Sequence, residues 1–129
     1  MATDNKLFII RGLPGSGKTT FAQKLLTDGI VSDVVEVEDF MTDQQGNYKF
    51  DASLLQKYHQ MCQMWTKYYL DKGRDVAVAN IFSRKWEILP YTRMGYTFEV
   101  IEMTGKFKNI HGVPDSVVRK MANHWEKWV

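Results

Sequence analysis

Gly12-Leu13-Pro14-Gly15-Ser16-Gly17-Lys18-Thr19 brings three glycines, a lysine and a hydroxyl together in one short stretch. The spacing Gly-x-x-x-x-Gly-Lys-Thr is the Walker A pattern. Each residue type has a reason to be there. Glycines let the backbone wrap tightly and aim its N–H groups inward at phosphate oxygens. The helix that follows adds the positive end of its dipole. Lys18 is a mobile point charge suited to β- and γ-phosphates, and the Thr19 hydroxyl is suited to Mg²⁺. Gly12, Pro14, Gly15, Ser16, Gly17, Lys18, Thr19 and Thr20 are thus the expected contacts of a bound nucleoside triphosphate. The loop alone does not say whether phosphate is transferred, hydrolysed or only sensed.

Further polar residues follow apolar runs. Glu38 and Asp39 come directly after Val34–Val37. One could accept a proton from an attacking hydroxyl and the other could help to hold Mg²⁺. Asn80 ends the run Val76-Ala77-Val78-Ala79, where many P-loop enzymes carry an acid. It could orient a substrate group or simply cap the strand. Arg84 could meet a phosphate. Trp86 could stack on a base, but is expected in the core. Lys106, Lys108 and His111 fall in a polar, basic stretch that could close over the site as a cationic lid, or remain a solvated loop.

The elements that must position these groups read clearly. Leu7–Ile10, Val34–Val37, Val76–Ala79 and Thr97–Met103 are expected strands. Thr19–Leu26 has helical spacing. A long helix is expected from an Asp51 N-cap to Gly73, with Leu54, Tyr58, Met61, Cys62, Trp65, Tyr68 and Tyr69 on its apolar face. A short helix near Trp86 should break at Pro90. A last helix opens at Pro114 or Asp115, with a buried stripe of Val117, Val118, Met121, Trp125 and Trp128. Strands alternating with helices imply an α/β fold: a parallel sheet of about four strands with helices on both faces.

Bulk properties set the outer bounds. The chain has 129 residues, suited to one domain over 1–129, with the lid expected at 104–114. The formal net charge of +2 is too small to argue for nucleic acid by itself. One cysteine, Cys62, excludes an internal disulfide and favours a reducing compartment. Neither a signal peptide nor a membrane span is read, so a cytoplasmic protein is expected.

Gly46-Asn47-Tyr48-Lys49-Phe50-Asp51, Asn80-Ile81-Phe82-Ser83-Arg84 and Asn109-Ile110-His111-Gly112-Val113-Pro114, in that order behind the P-loop, are more specific. Together they resemble small kinases related to the kinase domain of bacteriophage-type polynucleotide 5′-kinases, an AAA-type P-loop group. The resemblance spans Leu7 to Trp128. It implies a three-layer P-loop kinase fold and Mg²⁺-dependent transfer from ATP to a hydroxyl of a nucleic acid (a 5′-OH or a modified base) or a nucleoside. It also implies that Glu38 or Asp39 is the general base beside Lys18, with Thr19 and Asp39 toward the metal. Met41 stands where the relatives carry an arginine. The alternative expectation is a nucleotide-binding regulator with little turnover, suggested by Asn80 and by a lid that carries lysines where the family has arginines.

Overall fold

The computed structural model describes residues 4–41, 52–105 and 113–128. Four strands form one sheet: β1 (Lys6–Gly12), β2 (Asp33–Glu36), β3 (Val76–Asn80) and β4 (Thr97–Met103). Their order is β2-β3-β1-β4, and every pairing is parallel. The helices are α1 (Lys18–Thr27), α2 (Leu55–Asp71), α3 (Lys85–Thr92) and α4 (Asp115–Asn123), with short 3-10 turns at Val37–Phe40 and Ala52–Leu54. The sheet is the expected one. The Asp51 cap, the motif before it, and Lys106, Lys108 and His111 lie outside the described residues.

Side-chain alternation divides the core into two layers. Leu7, Ile9, Val76 and Val78 pack on one face with Cys62 and Leu70 of α2 and Ile88 and Tyr91 of α3. Ile10, Ala77 and Ala79 pack on the other with Ala22 and Leu25 of α1. Small residues at 77 and 79 let α1 lie close over β3. That closeness matters because α1 begins at the P-loop. The Cys62 thiol is fully buried, and burial pushes its pKa up to about 12.

Four local expectations fail for identifiable reasons. Trp86 is not in the core; it is 69% exposed. Ile88 and Tyr91, three residues apart, take the buried side of α3 and turn Trp86 outward. Pro90 does not break α3 but lies inside it. On α2 the buried line is Cys62, Thr66 and Leu70, while Trp65 and Tyr68 are exposed. Thr66 counts as polar in a periodicity reading, which rotates the expected face away from the true one. Finally, α4 buries no residue fully. It ends at Asn123, and its apolar residues Val117 and Met121 line a cleft instead of the core.

Arg11 was not singled out by its type or spacing, yet it ties three segments together. Its side chain is wholly buried. Nε and Nη2 donate to the Phe82 carbonyl at 3.1 and 2.7 Å, and Nη2 also donates to the Glu126 carbonyl at 2.7 Å. The guanidinium lies 4.1 Å from the Trp125 ring centroid and 3.7 Å from Glu102. Burial lowers its pKa, and Glu102, Glu87 and Glu126 oppose the shift. Phe82 needs such a hold because its φ of 51° is left-handed, which is rare for a bulky residue. Replacing Arg11 with Ala would leave two inward carbonyls without donors. The expected loss is roughly 3 kcal/mol of stability, measured by urea unfolding. An unchanged midpoint would show that the carbonyls find other partners.

Candidate functional site

Gly12 ends β1 in a crowded place. Its N–H donates to the Ile81 carbonyl at 3.3 Å. A Cβ there would sit 2.2 Å from Ser16 Oγ and 2.9 Å from the Met103 carbonyl oxygen, closer than any side-chain carbon tolerates. The Gly105 N–H donates to the Ser16 carbonyl at 3.2 Å, so the loop is gripped from the β3 and β4 sides together. Gly15 and Gly17 have φ of 82° and 95°, where a side chain would be strained. The chain thereby turns sharply into α1.

A cleft of about 920 Å³ opens at the C-terminal ends of the strands. This is the edge of a parallel sheet at which ligands are usually held. Of the expected nucleotide contacts, Pro14, Gly15, Gly17, Lys18, Thr19 and Thr20 line it. Gly12 and Ser16 do not. They pack against each other beneath the loop, with Ser16 buried. Lys18 Nζ donates to the Leu13 carbonyl at 3.2 Å. Burial lowers the Lys18 pKa, while Glu38 and Glu36 pull it upward.

The acids sort differently from expectation. Glu38 lines the cleft, but Asp39 does not. Asp39 Oδ2 accepts the Glu36 N–H at 3.2 Å, so this carboxylate braces the turn after β2. Desolvation raises the Asp39 pKa, the backbone bond lowers it, and Glu38 raises it again. One oxygen of Asp39, expected toward the metal, is thus engaged with the backbone. The acid nearest Thr19 is Glu36, which ends β2 and has no expected role by its type or spacing. The Thr19 hydroxyl lies near enough to the Glu36 carboxylate to pull its pKa down. Glu36 is 7% exposed, and its Oε1 has no hydrogen-bond partner. Burial first, then repulsion from Glu38, pushes its pKa up to about 7. A polar residue in a strand that otherwise faces inward was the available signal.

Asn80 takes the capping role. It is buried, and its Oδ1 accepts the Val37 N–H at 2.8 Å, fixing the turn that carries Glu38. Arg84 is not part of the cleft wall, whereas Ser83 and Glu87 on either side are. His59 of α2 also lines the cleft and was missed. Burial lowers its pKa, opposed by Glu87 and Glu38.

The arrangement suits phosphate chemistry. Thr19 and Glu36 offer hard oxygen donors, one of them a buried oxygen without a partner, and so fit Mg²⁺. Among the described residues no group of three or more His, Cys, Asp or Glu gathers as a metal cage. No described helix is long and apolar enough to cross a membrane.

Known proteins agree with this geometry. A family model described as an AAA domain matches residues 7–103, and the chain belongs to that family. NEDD4-binding protein 2 of Homo sapiens is 28% identical over 137 residues, covering 95% of this chain and 8% of the relative. The chain thus spans less than a tenth of that relative's length. In the structure of a Pnkp1/Rnl/Hen1 complex, one chain matches with a TM-score of 0.65 and 20% identity, over 93% of this chain and 40% of that one. The APS kinase of Mycobacterium tuberculosis, in complex with AMPPNP and APS, matches with a TM-score of 0.58 and 19% identity, over 80% of this chain and 64% of that one. The fold is that of the P-loop kinases.

Glu36 makes stability depend on pH. Its carboxyl binds a proton more tightly in the folded chain than in the unfolded one, so stability should fall as pH rises from about 4.5 to about 7. At about 1.4 kcal/mol per pH unit, the full contribution is roughly 3 kcal/mol. His59, with its pKa lowered, acts in the opposite sense. The difference between wild type and Glu36→Gln isolates the carboxyl. Urea unfolding in EDTA across this range should show a flatter fall in the variant; parallel curves would mean that Glu36 ionises freely.

Proposed function

We propose that the chain is an ATP-dependent phosphotransferase that moves the γ-phosphoryl group to a hydroxyl of a nucleoside or of a nucleic acid, at its 5′ end or on a modified base. One observation carries this reading. Lys18 and the P-loop share a single cleft with two carboxylates, Glu36 and Glu38, that close the far side of the phosphate position. A binding protein needs the loop; transfer also needs a base.

The roles follow from placement. The loop N–H groups and Lys18 hold the phosphates and offset their charge. Thr19 and Glu36 are the residues that would hold Mg²⁺, which when bound draws charge from the phosphate oxygens. Glu38 is the general base. The acceptor oxygen attacks the γ-phosphorus, the bond to the β,γ-bridging oxygen breaks, and ADP leaves with that electron pair. Glu38 takes the hydroxyl proton. Asp39 and Asn80 act through the backbone, by holding the turn on which Glu38 sits. The segment 104–114 remains the proposed lid, with Lys106, Lys108 and His111 as its cations.

The alternative is a nucleotide-binding regulator. Asn80 favours it, since β3 ends in an amide locked onto Val37 and not in an acid. Glu36 counts against it, by bringing a carboxylate to Thr19 from the neighbouring strand.

The test is transfer from γ-labelled ATP, with Mg²⁺, to 5′-OH DNA, 5′-OH RNA, modified DNA and free nucleosides. Lys18→Ala should abolish transfer and weaken ATP binding. Glu38→Gln should lower kcat by about 10²–10⁴ while ATP binding stays within a few fold. ATP binding that depends on Lys18, with no labelled acceptor and no effect of Glu38→Gln on any turnover, would favour the regulator.

A further inference from the structure

The two ends of the cleft differ in chemistry, and the sheet order says which end is which. The P-loop follows β1, so the loops after β2 and β3 lie on one side of it and those after β4 on the other. Met103 ends β4, and the segment that follows it adds Val113, Pro114, Val117 and Met121 to the cleft wall, all apolar. Such a wall suits the flat face of a base. On the β2–β3 side the wall is Glu38, Met41, Leu55, His59, Ser83 and Glu87. That second end is where the acceptor must stand, because Glu38 stands there.

The acceptor end is acidic. Glu38, His59 and Glu87 all line this one cleft. Glu87 is well fixed: its Oε1 accepts from Ser83 Oγ at 3.2 Å and from the Arg84 N–H at 3.1 Å. It also lies in the first turn of α3, where negative charge is favoured. Glu36 adds a third carboxyl nearby, and its Oε1 is buried with no hydrogen-bond partner. Among the described residues the lysines and arginines of the cleft wall are Lys18 and Lys24, both on α1. Met41 and Leu55 supply apolar surface between the acids.

From this we infer that the acceptor is an uncharged ring rich in hydroxyls, a phosphate-free nucleoside or a sugar, and that an acceptor carrying a phosphate close to its reacting hydroxyl is disfavoured. The inference rests on the kinase reading. Carboxylates and imidazole accept hydrogen bonds from hydroxyls, the apolar patch takes a ring face, and a phosphate would meet like charge in a partly desolvated space.

The experiment separates this inference from the reading beneath it by measuring binding without turnover. Protein loaded with AMPPNP and Mg²⁺ is titrated by calorimetry with thymidine, with thymidine 3′-monophosphate and with glucose. At least one phosphate-free compound should bind, and thymidine 3′-monophosphate at least tenfold more weakly than the better of them. In Glu87→Gln, which keeps an oxygen for Ser83 and Arg84, that ratio should shrink at least threefold. Equal or tighter binding of the monophosphate, binding of neither phosphate-free compound, or a ratio unmoved in Glu87→Gln overturns the inference. The kinase reading is judged apart, by label transfer from ATP: it can fail while the binding ratio stands, and it can stand with phosphate-bearing acceptors preferred.

Discussion

The site depends on how closely the backbone approaches itself at Gly12. There β1 stops with the Gly12 N–H bonded to the Ile81 carbonyl, and the Met103 carbonyl and Ser16 crowd the position where a Cβ would be. Three parallel strands therefore end in contact, and the loop that leaves the middle one cannot drift. The tilt of α1 follows from it, since the loop leads straight into that helix. So does the distance across the cleft, because Ile81 leads into Phe82 and Ser83 on the acceptor wall. A phosphate-binding loop must be rigid before its ligand arrives, or the ligand's binding energy goes into ordering it. Here the rigidity comes from neighbouring strands, not from the loop's own glycine-rich sequence.

Arg11 extends the same logic one residue earlier. β1 delivers it to the opposite side of the strand from the loop's anion site, where it meets backbone carbonyls and an indole face. A buried guanidinium is costly unless its donors are used, and most of these are. The result couples the C-terminal segment, through Trp125 and Glu126, to the left-handed turn at Phe82. The guanidinium also acts on Glu102, Glu87 and Glu126, so the buried cation is balanced by carboxylates on the segments that it joins.

Much of this was legible in the sequence. Four segments of strand length alternating with helical spacing specified a parallel sheet; Leu7–Ile10 and Val76–Ala79 carry the unbroken apolar character of buried parallel strands, while Thr97–Met103 alternates. The P-loop was legible because each of its residues answers a separate requirement. The errors came where one-dimensional patterns miss tertiary choice. Trp86 and Trp65 count as core by hydrophobicity, yet the buried faces of their helices were filled by Ile88 and Tyr91, and by Thr66 and Leu70. Val117 and Met121 have the period of a packed helix, and only the position of α4 shows that they face a cleft. Glu36 was hidden for a related reason. An acid in a short strand resembles a break in the pattern, and its value appears only when the fold brings the start of α1, with Thr19, beside it. His59 and Glu87 have ordinary neighbours in sequence and acquire meaning only from facing Glu38 across the cleft.

A cleft with a cationic phosphate end and an acidic acceptor end has a consequence for turnover. An uncharged acceptor enters without crossing a repulsive field. Once phosphorylated it carries close to two negative charges in the space shared by Glu38 and Glu87, with Glu36 beyond them. The attraction that Lys18 and the loop amides exerted on the γ-phosphoryl group must now compete with that repulsion, and in a partly desolvated cleft neither is weak. Charge that was neutral to the substrate thus becomes unfavourable to the product. Release is a common limit on enzyme rate, and this asymmetry lowers it without loosening the grip on ATP, whose phosphates stay on the α1 side. The same asymmetry makes the reverse reaction hard to start from the phosphorylated compound. On this reading the acids after β2 and at the start of α3 favour product release as well as supplying the base.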